Sequence, residues 1–164
     1  MFPEDIEALA RAVISAALES EIMIATAESC TGGLVAGALT AIPGSSAVVD
    51  RGFVTYSNEA KNGMLGVPMD LIVANGAVSE PVARAMAVGA VAHSRASLAV
   101  SITGVAGPGG GSAEKPVGLV HFAAADADGV VHEERRFGDL GRETVRLESV
   151  RVALNLLLAR LTAR

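Results

Sequence analysis

Glu21-Ile-Met-Ile-Ala-Thr-Ala27 runs into Glu28-Ser-Cys-Thr-Gly-Gly33, and the change of character between them decides the fold. The first seven residues are short and near-continuously apolar, which reads as a buried strand. A polar break follows, then an Ala/Leu-rich helical run to Ile42 that Pro43-Gly44 stops. Upstream, Ile6, Leu9, Ala10, Val13, Ala17 and Leu18 recur at helical spacing behind acids in the first turn. Downstream, Gly52–Tyr56 reads as a second strand. Asn58 then caps a short helix through Lys61 and Leu65, which Gly66-Val-Pro68 ends, and a short segment leads to Asn75-Gly76. Ser79 caps a helix running to about His93, with Pro81 in its first turn. Ser97–Thr103 is a further apolar strand, and the glycines and prolines of Gly104–Pro116 make a loop. Val117–Ala125 and Val130–Phe137 form a hairpin across Asp126-Ala-Asp-Gly129. A last helix carries Leu147, Val150, Leu154, Leu157, Leu158 and Leu161 on one stripe. Apolar strands alternating with helices predict a three-layer α/β/α sandwich around a mostly parallel or mixed central sheet, one domain over residues 1–164.

The composition narrows the function. The chain has 164 residues with 13 Lys+Arg against 18 Asp+Glu, a net charge of −5. The acidic balance argues against a nucleic-acid binder, which neutralises phosphates with clustered Lys/Arg. Four Phe, one Tyr and no Trp leave few platforms for stacking bases. Cys30 is the one cysteine, which excludes an internal disulfide and a cysteine-based zinc cluster. The uncharged stretch Ser29–Val49 is broken by Gly32, Gly33, Pro43 and Gly44, so no membrane span is expected. The acidic N-terminal segment does not resemble a secretory signal, and a cytoplasmic protein is the expectation.

Chemistry concentrates at two places. The turn Glu28–Gly33 joins a strand to a helix, where open α/β sheets bind ligands. Ser29 there reads as a nucleophile, its loop as an anion cradle, or Ser29 and Thr31 as plain helix caps. Cys30 reads as an alternative nucleophile or as a small buried residue. The stretch is not a Walker A loop, and Gly107-Pro-Gly-Gly-Gly-Ser112 is not a dinucleotide fingerprint. The second place is Tyr56, at the end of the second strand, with Lys61 five residues on. A lysine in the first turn of a helix faces the positive end of the dipole. Serving as a base requires burial to lower its pKa much further; otherwise it is a solvated surface residue.

Six motifs then occur in order: Ala27-Glu-Ser-Cys-Thr-Gly-Gly-Leu34, Pro43-Gly-Ser-Ser46, Tyr56-Ser-Asn-Glu-Ala-Lys61, Leu65-Gly-Val67, Gly76-Ala-Val-Ser79 and Ile102-Thr-Gly-Val-Ala-Gly-Pro108, with Pro116-Val-Gly118 after them. The set resembles the CinA C-terminal domain family, whose stand-alone form is a nicotinamide-nucleotide amidase. The resemblance covers nearly the whole chain. It implies hydrolysis of the carboxamide of nicotinamide mononucleotide to nicotinate mononucleotide and ammonia. It also implies Ser29 as nucleophile, Lys61 as base and Tyr56 as assisting hydroxyl, with no metal and no cofactor. Ser-Lys arrangements reach the geometry of a triad without histidine. His93, His121 and His132 lie outside every motif and read as structural. A non-catalytic nucleotide-binding regulatory module is the rival reading.

A pyridine mononucleotide carries a phosphate, and three places can meet it. They are the amides of Thr31, Gly32 and Gly33, a nest of donors over Thr103, Gly104, Ala106, Gly107 and Gly109, and the pair Arg142 and Arg146. Arg142 departs from the family's Gly-Asp-Arg, because Leu140 and Gly141 intervene after Gly138-Asp139. Glu28 reads as a partner of ribose hydroxyls, as a group that orients Lys61, or as an ordinary residue at the mouth. A homodimer is the common arrangement for such enzymes, and no residue in the sequence speaks to it.

Overall fold

The computed structural model describes residues 1–163; Arg164, the last residue of the expected span, lies outside them. Five strands and six α-helices follow in this order among the described residues: α1 (Glu4–Ser20), β1 (Ile24–Glu28), α2 (Leu34–Thr40), β2 (Val49–Val54), α3 (Asn58–Leu65), α4 (Met69–Asn75), α5 (Glu80–Ala92), β3 (Leu98–Gly104), β4 (Leu119–Asp126), β5 (Gly129–Arg136) and α6 (Arg142–Thr162). The sheet order is β2-β1-β3-β4-β5. β1 pairs in parallel with β2 and β3, and β4 and β5 add as an antiparallel hairpin. The sandwich with a mixed sheet is the architecture expected.

The two faces are filled differently. α1, α2 and α6 cover one face, where Ile24, Leu98, Val100, Ile102, Val120 and Phe122 point. α3, α4 and α5 cover the other, where the strands present Ala25, Ala27, Ala99, Ala123 and Ala125. Small side chains there bring α5 close enough for Ser101 Oγ to donate to Ala83 O at 2.6 Å. Because strand side chains alternate, β1 sends Glu28 toward α2 and Ser29, the next residue, toward α3. That single alternation positions the site.

Several boundaries differ from the sequence reading, among them β2, which spans Val49–Val54 rather than Gly52–Tyr56 and leaves Tyr56 two residues beyond its end. β1 begins at Ile24 rather than Glu21, because α1 continues to Ser20 and Glu21 ends it in the left-handed conformation (φ 55°). The short segment before Asn75-Gly76 is a helix, α4, whose seven residues are too few to show a period. Ser57, not Asn58, caps α3, its Oγ accepting from Ala60 N at 3.0 Å.

Candidate active site

Ser29 follows β1 directly, and its own N–H extends the sheet by donating to Ile102 O at 2.9 Å. Gly32 N then donates to Ser29 O at 3.0 Å, closing a turn that leaves the Ser29 side chain on the α3 face. Lys61 comes from α3 and is 1% exposed. Its Nζ lies 3.0 Å from Ser29 Oγ and 3.0 Å from Thr55 O.

Those two partners fix the chemistry of the amine. An ammonium carries three protons and needs three acceptors. Lys61 has two oxygens and makes no ion pair among the described residues. A neutral amine carries two N–H groups, which match the two oxygens, and it keeps a lone pair that can take the Ser29 hydroxyl proton once the amine rotates. Burial accordingly lowers the pKa of Lys61 from its ordinary value. The same burial pushes the Cys30 thiol up to about 12, which disfavours the thiolate that a Cys30 nucleophile would need.

A cleft of about 290 Å³ opens over this pair. Ser29, Cys30 and Lys61 form its floor, and Tyr56 and Asn58 one side. Thr103, Gly104, Ala106, Gly107 and Gly109 line the opposite side, and Arg142 reaches over from the first turn of α6. Arg142 donates to Gly107 O and to Tyr56 Oη, both at 2.9 Å, so it bridges the two sides at the mouth. Thr103 is tied by its hydroxyl to Ala77 O at 2.9 Å.

Five residues proposed from sequence lie outside the cleft lining. Glu28 is fully buried on the other face of β1. Its carboxylate accepts from Thr26 Oγ1, Thr31 Oγ1, Val35 N and Ala36 N, at 2.6–3.2 Å. It therefore caps α2 and touches neither ribose nor Lys61, and the α2 amides it occupies are closed to a substrate phosphate. Thr31, Gly32 and Gly33 belong to the same turn and do not reach the cleft. Arg146 is turned away from it, donating to Cys30 O at 3.1 Å and Thr31 O at 3.3 Å. Tyr56 lines the cleft but is 62% exposed, and its hydroxyl bonds to Arg142 instead of standing between Ser29 and Lys61.

The structure adds Asn58, Ala77, Val78, Val105 and Gly110 to the lining. Asn58, Ala77, Val78 and Val105 lie in the ordered motifs, which was the available signal, and Gly110 lies in the glycine loop beside them. His121 and His132 pair with each other at 2.9 Å, and His132 meets Glu80 at 3.1 Å, away from the dyad. No group of three His, Cys, Asp or Glu among the described residues could hold a metal ion. No described helix is long and apolar enough to cross a membrane.

The chain is 54% identical over 136 residues to the nicotinamide-nucleotide amidohydrolase PncC of Escherichia coli K12, covering 82% of this chain and 81% of that protein. It is 52% identical over 157 residues to a CinA-like protein of Synechococcus sp. RCC307, covering 95% of this chain and 38% of that one. Against several such longer relatives the chain spans only 29–38% of their length. The crystal structure of the competence/damage inducible protein CihA from Agrobacterium tumefaciens superposes with a TM-score of 0.96 at 59% identity, over 99% of this chain and 98% of that one. The model of the CinA C-terminal domain matches residues 6–161. The chain belongs to the CinA C-terminal domain family.

Proposed function

We propose that the protein is an amidohydrolase that converts nicotinamide mononucleotide to nicotinate mononucleotide and ammonia through a Ser29 nucleophile and a Lys61 base. The observation that carries this reading is a buried lysine amine, without an ion pair among the described residues, 3.0 Å from a serine hydroxyl on the floor of an open cleft. The name of the Escherichia coli relative supports the substrate class.

An unactivated carboxamide is a poor electrophile, and an acyl-enzyme divides its hydrolysis into two easier steps. Lys61 takes the Ser29 proton as Oγ bonds to the carboxamide carbon. The tetrahedral intermediate collapses, the C–N bond breaks, and Lys61 returns the proton to the leaving nitrogen as ammonia departs. Water then attacks the ester, Lys61 takes its proton, and the C–Oγ bond breaks. Nicotinate mononucleotide leaves and Ser29 regains its hydrogen. Proton transfer runs directly between Lys61 and Ser29, without Tyr56. The phosphate falls to Arg142 and to the loop amides of Gly109 and Gly110, which have no acceptor within the described chain.

The test is ammonia release from the mononucleotide, with Ser29→Ala as the blank, and nicotinamide offered as a second substrate. Release that needs Ser29 and is faster with the mononucleotide supports the proposal. Binding of the mononucleotide without ammonia, at every pH tried, means a non-catalytic nucleotide-binding module instead. Preference for the phosphate-free amide removes the phosphate assignment.

A further inference from the structure

Arg142 and Arg146 stand one turn apart on α6 and face different things. Arg142 meets the cleft. Arg146 meets the back of the turn that carries Ser29, with Nε on Cys30 O and Nη2 on Thr31 O. Its guanidinium makes no ion pair among the described residues, although Glu143 and Glu148 lie on the same helix. Its position depends on Gly32: a Cβ there would lie 3.3 Å from Arg146 Nη2, and the residue is held at φ +58°.

In a trans peptide the N–H points opposite to the C=O. Holding the Thr31 carbonyl outward therefore turns the Gly32 N–H inward, onto Ser29 O, where it closes the turn at 3.0 Å. From the other direction the Glu28 carboxylate takes the Thr31 hydroxyl and two α2 amides. The turn is thus gripped by a cation on its carbonyls and an anion on its donors, and the two never touch each other. We propose that Arg146 is a positioning residue of the reaction: it binds no substrate, and it holds the Ser29–Gly32 turn so that Ser29 Oγ stays aligned with Lys61 Nζ and the substrate carbonyl. This rests on the reading of Ser29 as the nucleophile.

The experiment compares wild type, Arg146→Lys, Arg146→Gln and Arg146→Ala by ammonia release and by the rate at which a fluorophosphonate labels Ser29, read by mass spectrometry. Lysine can reach one carbonyl but not both in fork geometry. Misplacement of a reacting group by about 1 Å costs roughly 10²-fold, so Arg146→Lys should lose about 10–100-fold in kcat. KM should stay within about twofold, because a group acting only in the transition state leaves substrate binding alone. Guanidinium added to Arg146→Ala should restore part of the labelling rate; if that variant does not fold, the Lys and Gln variants carry the test.

An increase in KM at unchanged kcat would overturn the inference and return Arg146 to substrate binding. Unchanged kcat and labelling in all three variants would overturn it too. Labelling of wild-type Ser29 without ammonia from the mononucleotide would defeat the substrate reading alone. The positioning role would then be judged on labelling, which should slow by the same factor. No labelling and no hydrolysis would take Ser29 and this role down together.

Discussion

The cleft has two walls, and they satisfy their polar groups in opposite ways. On the nucleophile side, Glu28 makes four hydrogen bonds, the Ser29 and Gly32 amides are both taken, and Arg146 holds two carbonyls. On the glycine side, Pro108 to Glu114 are exposed and the Gly109 and Gly110 amides find no acceptor in the described chain. Under the proposed function, the difference follows from task. A nucleophile must be held in one place before substrate arrives. A wall that receives an anion must keep its donors unoccupied until the anion comes.

The largest test of that contrast is Lys61→Met. Turnover should fall by roughly 10²–10⁴-fold, the usual worth of a positioned base. Thermal stability should rise, because a buried amine without a carboxylate partner is replaced by an apolar chain of similar length. The linkage sign agrees. The folded pKa lies below the ordinary 10.5, so between those two values the unfolded chain binds a proton that the folded chain lacks. Stability rises with pH across that window, and the penalty stands in full below it. Lys61→Met should flatten this rise. In the wild type, kcat/KM should climb with pH as Lys61 loses its proton, along a limb that lies below 10.5. A variant that is both inactive and less stable would mean that Lys61 is charged and paired, which breaks the account of the floor.

Arg142→Gln probes the other wall. KM for the mononucleotide should rise by about tenfold, with a smaller change in kcat, as expected for loss of uniform binding. Steady-state kinetics at two ionic strengths would check it, since a phosphate contact weakens with salt. A loss confined to kcat would make Arg142 part of the rigid wall.

Within the glycine loop the contrast sharpens to single positions. Gly107 sits at φ +83°, and a Cβ would lie 2.6 Å from Val117 Cγ1. Gly107→Ala should therefore lose at least about 1–2 kcal/mol in a denaturant titration, from the left-handed conformation alone. At Gly109 a Cβ meets nothing within 4 Å, and Gly109→Ala should be neutral or slightly stabilising. Equal losses at both positions would mean that the whole loop is as constrained as the floor.

How much of this the sequence shows depends on what each feature needs. The strand–turn–helix unit at Glu21–Gly33 is legible because apolar runs and glycines are local signals. Ser29 and Lys61 were legible as candidates, since a motif sits around each. Their contact was not, because it depends on α3 packing over the end of β1. Glu28 was misread for a related reason. Its neighbour Ser29 faces the cleft, and strand alternation sends Glu28 the other way only if β1 runs through residue 28. Arg146 was misread because Arg142 and Arg146, four residues apart, share a helical face in projection. They meet different partners only once α6 crosses behind the turn. α4 was missed because Pro68 and Gly76 bound a segment of seven residues.

One atom on the saturated wall breaks its own rule. Thr55 Oγ1 is buried and has no hydrogen-bond partner among the described residues. It sits on the residue whose carbonyl anchors Lys61. A buried hydroxyl without a partner costs free energy that its apolar isostere does not. Thr55→Val keeps the branched shape and removes the hydroxyl, so unfolding free energy should rise by roughly 1 kcal/mol. The backbone carbonyl that holds Lys61 is untouched by the change. Loss of stability in Thr55→Val would show that the hydroxyl is bonded in solution to something outside the chain. The nucleophile wall would then be saturated throughout, and the contrast with the glycine wall would be complete.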